Sequence, residues 1–198
     1  MLVLGHAGIT LGAGVLLNSA LIKSGYAPFK GQPPQSSEKL SWLSSLGSRI
    51  DIRILMMGSL LPDIIDKPVG QLLLRNTLNN GRIFSHTLLF LLIITLIGIY
   101  LYRTKRRNWL LVLSAGTLAH LVFDEMWLTP RTLFWPLFGF TFQRLEDLTY
   151  WLQGIWYRLF HAPSVYIPEL IGAVILLWFT LALVKRKRLS SFIIRGRV

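Results

Sequence analysis

The sequence predicts an all-α fold, a polytopic helical bundle that lies in a membrane. Of the 198 residues, 53% are hydrophobic and only 15% are charged, which excludes a disordered chain and is atypical of a soluble domain. Several long stretches contain no charged residue, and a transmembrane helix needs about 20 apolar residues. We therefore expect one integral-membrane domain over residues 1–198, with about four transmembrane helices, one half-helix and one interfacial amphipathic helix.

The uncharged stretches predict the transmembrane elements in chain order. No basic residue precedes the first stretch, so we interpret it as a retained helix rather than a cleaved signal peptide. Residues 54–61 are too short to cross a bilayer, and they predict a half-helix that ends at Pro62. Residues 23–48 are rich in Gly, Pro and Ser and predict a flexible loop on the inner side. The predicted transmembrane stretches are residues 1–22, 83–102, 108–123 and 170–184.

An aromatic region at about residues 125–167 follows the third of these stretches. It holds half of the aromatic residues in the chain, and Trp and Tyr concentrate at the depth of lipid headgroups. Five apolar residues in it recur at spacings of three and four, the pattern of one apolar helix face. These residues are Leu145, Leu148, Leu152, Ile155 and Leu159. The region therefore predicts an interfacial helix, or a lid, at the outer end of the bundle.

The basic residues predict the orientation of the chain. The formal net charge is +12, from 21 Lys and Arg residues against 9 acidic residues. With the amino terminus outside, most basic residues fall on the inner side, densest at 103–107 and in a basic carboxy-terminal tail at 185–198. This bias is the positive-inside pattern of bacterial membrane proteins. We therefore predict a multi-pass protein of a prokaryotic plasma (inner) membrane, with a cytoplasmic carboxy terminus.

Ionisable residues interrupt the apolar segments at four places, all toward the predicted outer ends of the helices. Such groups are costly in a bilayer unless they are paired, so each is a functional candidate. They are His6, the pair Asp63 and Asp66, His86, and the pair His120 and Asp124. His120 and Asp124 are four residues apart, so they share one helix face and can bind one divalent metal ion together. His6 could instead be a lone polar residue bonded to a neighbouring carbonyl group.

The other candidates also have structural interpretations that the sequence leaves open. His120 and Asp124 could form an ordinary hydrogen bond along their helix. Asp63 follows a proline and could cap the next helical turn, because Asp before a helix accepts backbone N–H bonds. Asp66 could be an exposed carboxylate paired with Lys67. The antiparallel helix that carries His86 favours the metal interpretation, because a short hairpin would bring that histidine to the level of His120.

The order of these residues resembles the pattern of a known family. His6 is followed by Gly-Ser-Leu-Leu-Pro-Asp-Ile-Ile-Asp at 58–66, by Ser-His at 85–86 and by His-x-x-x-Asp at 120–124. Over about residues 1–140 the chain is similar to the inner-membrane-associated metal-dependent hydrolases, a family whose label also mentions LexA binding. That family is distantly similar to zinc-dependent phospholipase C. The resemblance implies metal ligation by Asp63, His86, His120 and Asp124, joined by His6.

The expected chemistry is metal-dependent hydrolysis. The chain has no cysteine, and nitrogen and oxygen ligands fit Zn²⁺ first, with Mn²⁺ or Fe²⁺ as alternatives. We expect Asp66 to orient a ligand or to act as general base, and Arg82 to bind a phosphate. Arg82 lies four residues before His86, one turn away if the helix begins early, although a snorkelling arginine explains it equally well. Membrane lipids are the expected partners, and a phosphoester in a lipid-like molecule is the expected substrate.

Other functional classes remain open. The same cluster could serve a non-catalytic membrane metal-binding protein or a transporter, although the inner halves of the predicted helices carry no charge that would line a path. The basic inner loops could contact DNA weakly, but no aromatic platform accompanies them, so we predict no specific nucleic-acid partner. The sequence also shows no cytoplasmic docking domain that would support LexA binding. Some relatives carry Asp-x-Asp-His after the proline, and the absence of that histidine here argues against a second fully ligated metal.

Overall fold

The structure, a computed structural model, describes residues 1–23, 50–144 and 148–195, and every regular element in these ranges is helical. Residues 24–48 of the predicted inner loop, Leu145, and residues 196–198 of the basic tail lie outside the described residues. A π-helical segment, Pro68–Leu73, extends the second helix, and a 3-10 turn, Met126–Leu128, follows the fourth. The α-helices are α1 (Val3–Lys23), α2 (Ile52–Lys67), α3 (Leu88–Lys105), α4 (Trp109–Phe123), α5 (Pro130–Leu133), α6 (Leu148–His161), α7 (Pro163–Lys185) and α8 (Leu189–Arg195).

Two helices, α3 and α7, are long and apolar enough to cross a membrane. Residues Val3–Leu17 of α1 and the whole of α4 are also apolar but shorter. The described chain is therefore all-helical, as predicted, and suits a helical membrane protein, while the number of four transmembrane helices stays a prediction. A helix is present in the aromatic region, as predicted, in the form of α6, where Trp156 and Phe160 are exposed, while its interfacial position stays a prediction.

Helices α1 and α7 pack closely because glycine occupies both sides of their contact. A Cβ atom on Gly8 would lie 2.1 Å from the carbonyl oxygen of Gly172, and a Cβ on Gly172 would lie 2.1 Å from that of Leu4. No side chain fits at such distances, so the two backbones touch directly. The buried Glu169 of α7 then accepts the backbone N–H groups of Leu2 and Leu4, at 2.6 and 3.0 Å. These bonds satisfy donors that the first turn of a helix leaves unpaired.

Helices α2 and α4 also cross at glycine residues that let the two backbones touch. A Cβ on Gly58 would lie 2.2 Å from the carbonyl oxygen of Leu113, and a Cβ on Gly116 would lie 2.3 Å from that of Leu55. This close approach sets the carboxy-terminal half of α2 beside the carboxy-terminal half of α4. The second half of each helix carries the acidic and histidine candidates, so the glycine contact brings them together.

The prediction that a half-helix ends at Pro62 is wrong, because α2 continues through this proline to Lys67. Proline has no N–H group to donate to the carbonyl four residues earlier, which here belongs to Gly58. The hydroxyl of Thr117, on α4, donates to that carbonyl oxygen at 3.2 Å. A neighbouring helix thus supplies the missing donor, as membrane helices that contain proline commonly require. Asp63 is consequently an interior residue of α2 and not a cap.

Helix α3 begins later than expected, at Leu88. The hydroxyl of Thr87 accepts the backbone N–H of Phe90 at 3.1 Å, so Thr87 is the N-cap. His86 and Arg82 therefore lie in the irregular segment before the helix. The prediction that they lie one helical turn apart on that helix is wrong. A tight connection at 106–108, with Arg106 in the left-handed region at φ 53°, then joins α3 to α4.

Candidate metal centre

The five residues expected to bind metal meet in one buried cluster, although they come from four parts of the chain. His6 lies on α1, Asp63 on α2, and His86 in the segment before α3, while His120 and Asp124 lie at the end of α4. The three histidines are fully buried. The candidate ligand atoms form two overlapping groups, and within each group all atoms lie within 4.8 Å of one another. One group consists of His6, His120 and Asp124, and the other of Asp63, His86 and His120.

The rings of His86 and His120 are each fixed from behind through Nδ1. His120 Nδ1 lies 2.7 Å from the carbonyl oxygen of Ser59, which can only accept, so Nδ1 carries the proton and donates it. His86 Nδ1 lies 2.7 Å from Oδ2 of Asp66. Both rings therefore present Nε2 to the cluster, and these two nitrogens are 3.1 Å apart. A carboxylate or carbonyl group behind a histidine is the usual arrangement that orients a metal-binding imidazole.

Asp66 holds this arrangement in place. Its fully buried carboxylate accepts the backbone N–H groups of Ile83, Ser85 and His86 at 2.7, 3.0 and 3.2 Å, in addition to the His86 ring. Burial raises the pKa of Asp66, but the hydrogen bonds from His86 and Ser85 lower it more, so the net pKa lies below its usual range. The interpretation of Asp66 as an exposed partner of Lys67 is wrong. Of the two roles expected for Asp66, these contacts favour orientation of His86, because no side of the carboxylate faces the cavity.

Asp63 and Asp124 each contact both the cluster and cationic groups. Oδ1 of Asp63 lies 3.6 Å from His86 Nε2, and its Oδ2 accepts from Lys67 Nζ at 2.6 Å. Burial raises the pKa of Asp63, but the His86 contact and the Lys67 charge lower it further, so its net pKa is below the usual range. Oδ1 of Asp124 lies 3.1 Å from His6 Nε2 and accepts a hydrogen bond from the amino-terminal ammonium group of Met1 at 2.9 Å, while its Oδ2 pairs with Arg82 Nη2 at 2.7 Å.

His6 closes the cluster from the side of α1. Its ring stacks on the ring of His120 with centroids 4.1 Å apart. Its second nitrogen, Nδ1, is buried and has no hydrogen-bond partner among the described residues. The arrangement leaves Nε2 as the atom that faces Asp124. The fourth histidine, His161, is exposed at the end of α6 and bonds the carbonyl of Tyr157, so it does not join the cluster.

A cavity of about 290 Å³ opens onto the two acidic members of the cluster. Asp63 and Asp124 contribute to its wall, together with three cationic side chains, Lys67, Arg82 and Arg158, and with Met1, whose ammonium group pairs with Asp124. The sequence predicted a role for Arg82 here, but not for Lys67, Arg158 or the Ser59 carbonyl. The spacing of four residues between Asp63 and Lys67 could have indicated their ion pair, whereas no sequence pattern connects Arg158, on a distant helix, with the cluster.

Comparison with known proteins identifies a family for nearly the whole chain. A family model described as YdjM inner membrane protein matches residues 1–189. No curated protein and no solved structure matches the chain. The match confirms the inner-membrane part of the resemblance and of the predicted location, and it carries no information about hydrolase activity or phospholipase C.

Proposed function

We propose that the chain, which belongs to the YdjM inner membrane protein family, is a membrane-bound metal-dependent hydrolase that cleaves a phosphoester in a lipid-like substrate. The proposal includes a multi-pass topology of about four transmembrane helices, an outer amino terminus and a site near the outer face of the membrane. Zinc is the first candidate for the metal, and manganese or iron are the alternatives, because the donors are nitrogen and oxygen atoms.

The observation that carries the proposal is the approach of two imidazole nitrogens whose rings are both held through Nδ1. Because Nδ1 of His86 and of His120 faces an acceptor, the two Nε2 atoms face each other across 3.1 Å, and their lone pairs meet when both rings are neutral. A shared proton or a metal ion relieves this contact. Two nitrogens bound to one tetrahedral zinc, each at about 2.0–2.1 Å, lie about 3.3 Å apart, which matches the separation here.

The neighbouring carboxylates favour a metal ion over a shared proton. Oδ1 of Asp63 lies 3.6 Å from His86 Nε2, and Oδ2 of Asp124 lies 4.0 Å from His120 Nε2. These distances are too long for hydrogen bonds, but ligand atoms around one metal ion are commonly about 3–4 Å apart. A proton would engage only the two imidazoles, whereas a divalent cation would engage all of these groups.

The geometry supports one metal ion rather than two. The two overlapping groups of ligands share His120, and its Nδ1 is committed to the Ser59 carbonyl. A single nitrogen lone pair binds a single ion, so His120 cannot serve both groups at once. One ion drawn from the five candidate ligands His6, Asp63, His86, His120 and Asp124 accounts for the cluster.

In the proposed reaction the metal would lower the pKa of a bound water toward about 7 and polarise a phosphoryl oxygen. Asp66 keeps the His86 ring in position. Lys67 holds Oδ2 of Asp63, so that carboxylate presents Oδ1 to His86. Arg82 and the Met1 ammonium group hold the two oxygens of Asp124, of which Oδ1 also faces His6 and Oδ2 faces His120. Arg82 is 44% exposed, and its remaining N–H groups are available to bind a phosphate.

The first experiment is elemental analysis of protein purified in detergent, with wild type beside His86→Ala and His161→Ala. We expect about one equivalent of metal in the wild type and in His161→Ala, and a loss of metal in His86→Ala. A phosphoesterase assay with His120→Ala then tests catalysis, which should disappear while circular dichroism still shows a folded helical protein. Activity that survives in this variant after chelation would refute the proposal. Metal binding with no turnover would instead support the non-catalytic or transport alternative.

A further inference from the structure

Three cationic side chains surround the cavity that leads to the cluster, and each comes from a different part of the fold. A fourth positive group, the ammonium of Met1, also lines the cavity and is paired with Asp124 Oδ1 at 2.9 Å. Lys67 ends α2, Arg82 lies in the segment before α3, and Arg158 lies on α6. Arg158 is exposed, and its one side-chain hydrogen bond to the described part of the chain runs from Nε to the carbonyl of Gly154 one turn earlier, at 3.1 Å. Its two terminal NH₂ groups can therefore donate into the cavity.

Lys67 and Arg82 also keep donors available. Each uses one nitrogen to hold the outer oxygen of a carboxylate in the cluster, and their side chains are 32% and 44% exposed. An ammonium group has three donors and a guanidinium group has five. Both cations can therefore bridge a carboxylate of the cluster and an anion in the cavity.

The charges around the cavity depend on whether metal is bound. Without metal, the carboxylates of Asp63 and Asp124 offset two of the four positive charges, which belong to the three side chains and to the Met1 ammonium group. A divalent cation would balance those two carboxylates, and the positive charge of Lys67, Arg82 and Arg158 would then be unopposed. The negative charge of Asp66 alters the charge balance at the cavity little, because its carboxylate lies behind His86 and accepts four N–H groups there.

We propose that this cavity is a phosphomonoester site whose affinity for the phosphate group is coupled to metal binding in the cluster. The inference rests on the proposed function and narrows its substrate. A terminal phosphate carries close to two negative charges at pH 7 and presents three free oxygens, one for each of the three cationic side chains. A phosphodiester carries one charge and two free oxygens, so it would leave one of these side chains unmatched.

Coupling between metal and phosphate is reciprocal by thermodynamic linkage, so it can be measured from both sides. Protein in detergent is titrated with inorganic phosphate by calorimetry, once metal-free and once with one equivalent of zinc. We expect phosphate to bind about tenfold or more tightly to the zinc form, and zinc to bind more tightly by the same factor when phosphate is present. Equal phosphate affinity in the two forms would overturn the inference.

Arg158 tests the cation arrangement without touching the cluster. Arg158→Gln should weaken phosphate binding to the zinc form about fivefold or more, while zinc affinity in phosphate-free buffer stays unchanged. Arg131→Gln, which removes an exposed arginine outside the cavity wall, is the matched control and should bind phosphate as the wild type does. Wild-type phosphate affinity in Arg158→Gln would contradict the proposal.

Competition identifies the ester class and the source of the phosphate. Glycerol 3-phosphate is a soluble monoester, and phosphatidate in mixed micelles is a lipid monoester. Displacement of phosphate by either supports the site and shows whether its ligand is soluble or a lipid. Phosphatidylglycerol, a diester, should displace little phosphate, and displacement equal to that by phosphatidate would overturn the assignment.

The titrations distinguish failure of this inference from failure of the proposed function. If zinc binds but phosphate binding is not coupled to it, only this inference fails. Failure of zinc to bind would contradict the proposed function as well.

Discussion

At the scale of single residues, the cluster depends on side chains and backbone groups that fix the histidines from behind. His86 and His120 obtain their orientation from the Asp66 carboxylate and the Ser59 carbonyl, both at 2.7 Å. These partners determine which ring nitrogen is protonated, and therefore which nitrogen is free to bind a cation. Ligand geometry at this site is thus a property of groups that do not contact the cavity.

Replacement of Asp66 should weaken metal binding although Asp66 is not a proposed ligand. In Asp66→Asn, the amide oxygen can replace Oδ2, but the NH₂ group then faces the Ser85 N–H that Oδ1 accepts, and the negative charge behind the His86 ring is lost. The ring is therefore held less firmly, and its Nε2 is a weaker ligand. We expect metal affinity to fall about 10–100-fold, the usual effect of removing a partner behind a metal-binding histidine. The visible spectrum of the cobalt-substituted protein should also change, because it reports ligand geometry.

The control for this experiment is Asp51→Asn. Asp51 is the N-cap of α2 and bonds Arg53, at the opposite end of that helix from the cluster. Asn is an equally good N-cap, so this variant should fold and bind metal as the wild type does. Unchanged metal affinity and an unchanged cobalt spectrum in Asp66→Asn would show that Asp66 has no positioning role.

At the scale of helices, the continuation of α2 through Pro62 depends on a hydroxyl from α4. Thr117 shares its proton between the carbonyls of Gly58 and Leu113, at 3.2 and 3.1 Å. Thr117→Val, which has nearly the same shape, should lower the free energy of unfolding by about 1 kcal/mol. Thermal or denaturant unfolding in detergent measures this loss.

A double-mutant cycle separates this bond from other effects of the substitution. Pro62→Ala restores an N–H group that can bond the Gly58 carbonyl within α2. We therefore expect Thr117→Val to cost clearly less in the Pro62→Ala background than in the wild type. Equal costs in both backgrounds would mean that the hydroxyl does not replace the donor that proline lacks.

The contact between α1 and α7 predicts a sharp difference between two glycines on one helix face. Gly8→Ala should destabilise the protein by about 3 kcal/mol or more, because its methyl group would meet the backbone of Gly172 at 2.1 Å. Gly12→Ala should be tolerated, because its methyl group would meet the flexible end of Ile175 at 3.1 Å. The measurement is the unfolding midpoint of both variants in detergent, and similar midpoints would argue against direct backbone contact at Gly8.

The sequence predicted much of the site because ionisable residues are rare in apolar helices and need a reason to be there. The five ligand candidates, from His6 to Asp124, meet as expected. The continuation of α2 through Pro62 could not be predicted. The group that donates to the Gly58 carbonyl in place of the proline is the Thr117 hydroxyl, which lies 59 residues farther along the chain. Arg158 could not be found either, since an exposed arginine on an amphipathic helix has no distinctive pattern.

At the scale of the whole molecule, the two candidate membrane-spanning helices run in the same direction, each beginning near the cluster or its cavity and ending away from it. Helix α3 begins two residues after His86 and ends in the basic group at 103–107. Helix α7 begins near Val165, which lines the cavity, and ends in the basic group at 185–188. Both basic groups thus lie at the helix ends remote from the cluster, and the positive-inside rule predicts that those ends lie in the cytoplasm.

This orientation predicts which residues can be labelled from outside the cell. The chain has no cysteine, so single-cysteine variants report one position each. In spheroplasts, a membrane-impermeant maleimide should label Arg131→Cys, which is exposed and close in sequence to the cluster. Lys105→Cys, at the far end of an 18-residue helix about 27 Å long, should be labelled only after the membrane is permeabilised. The reverse pattern would place the cavity on the cytoplasmic side, where its substrate would have to come from the inner leaflet or the cytosol.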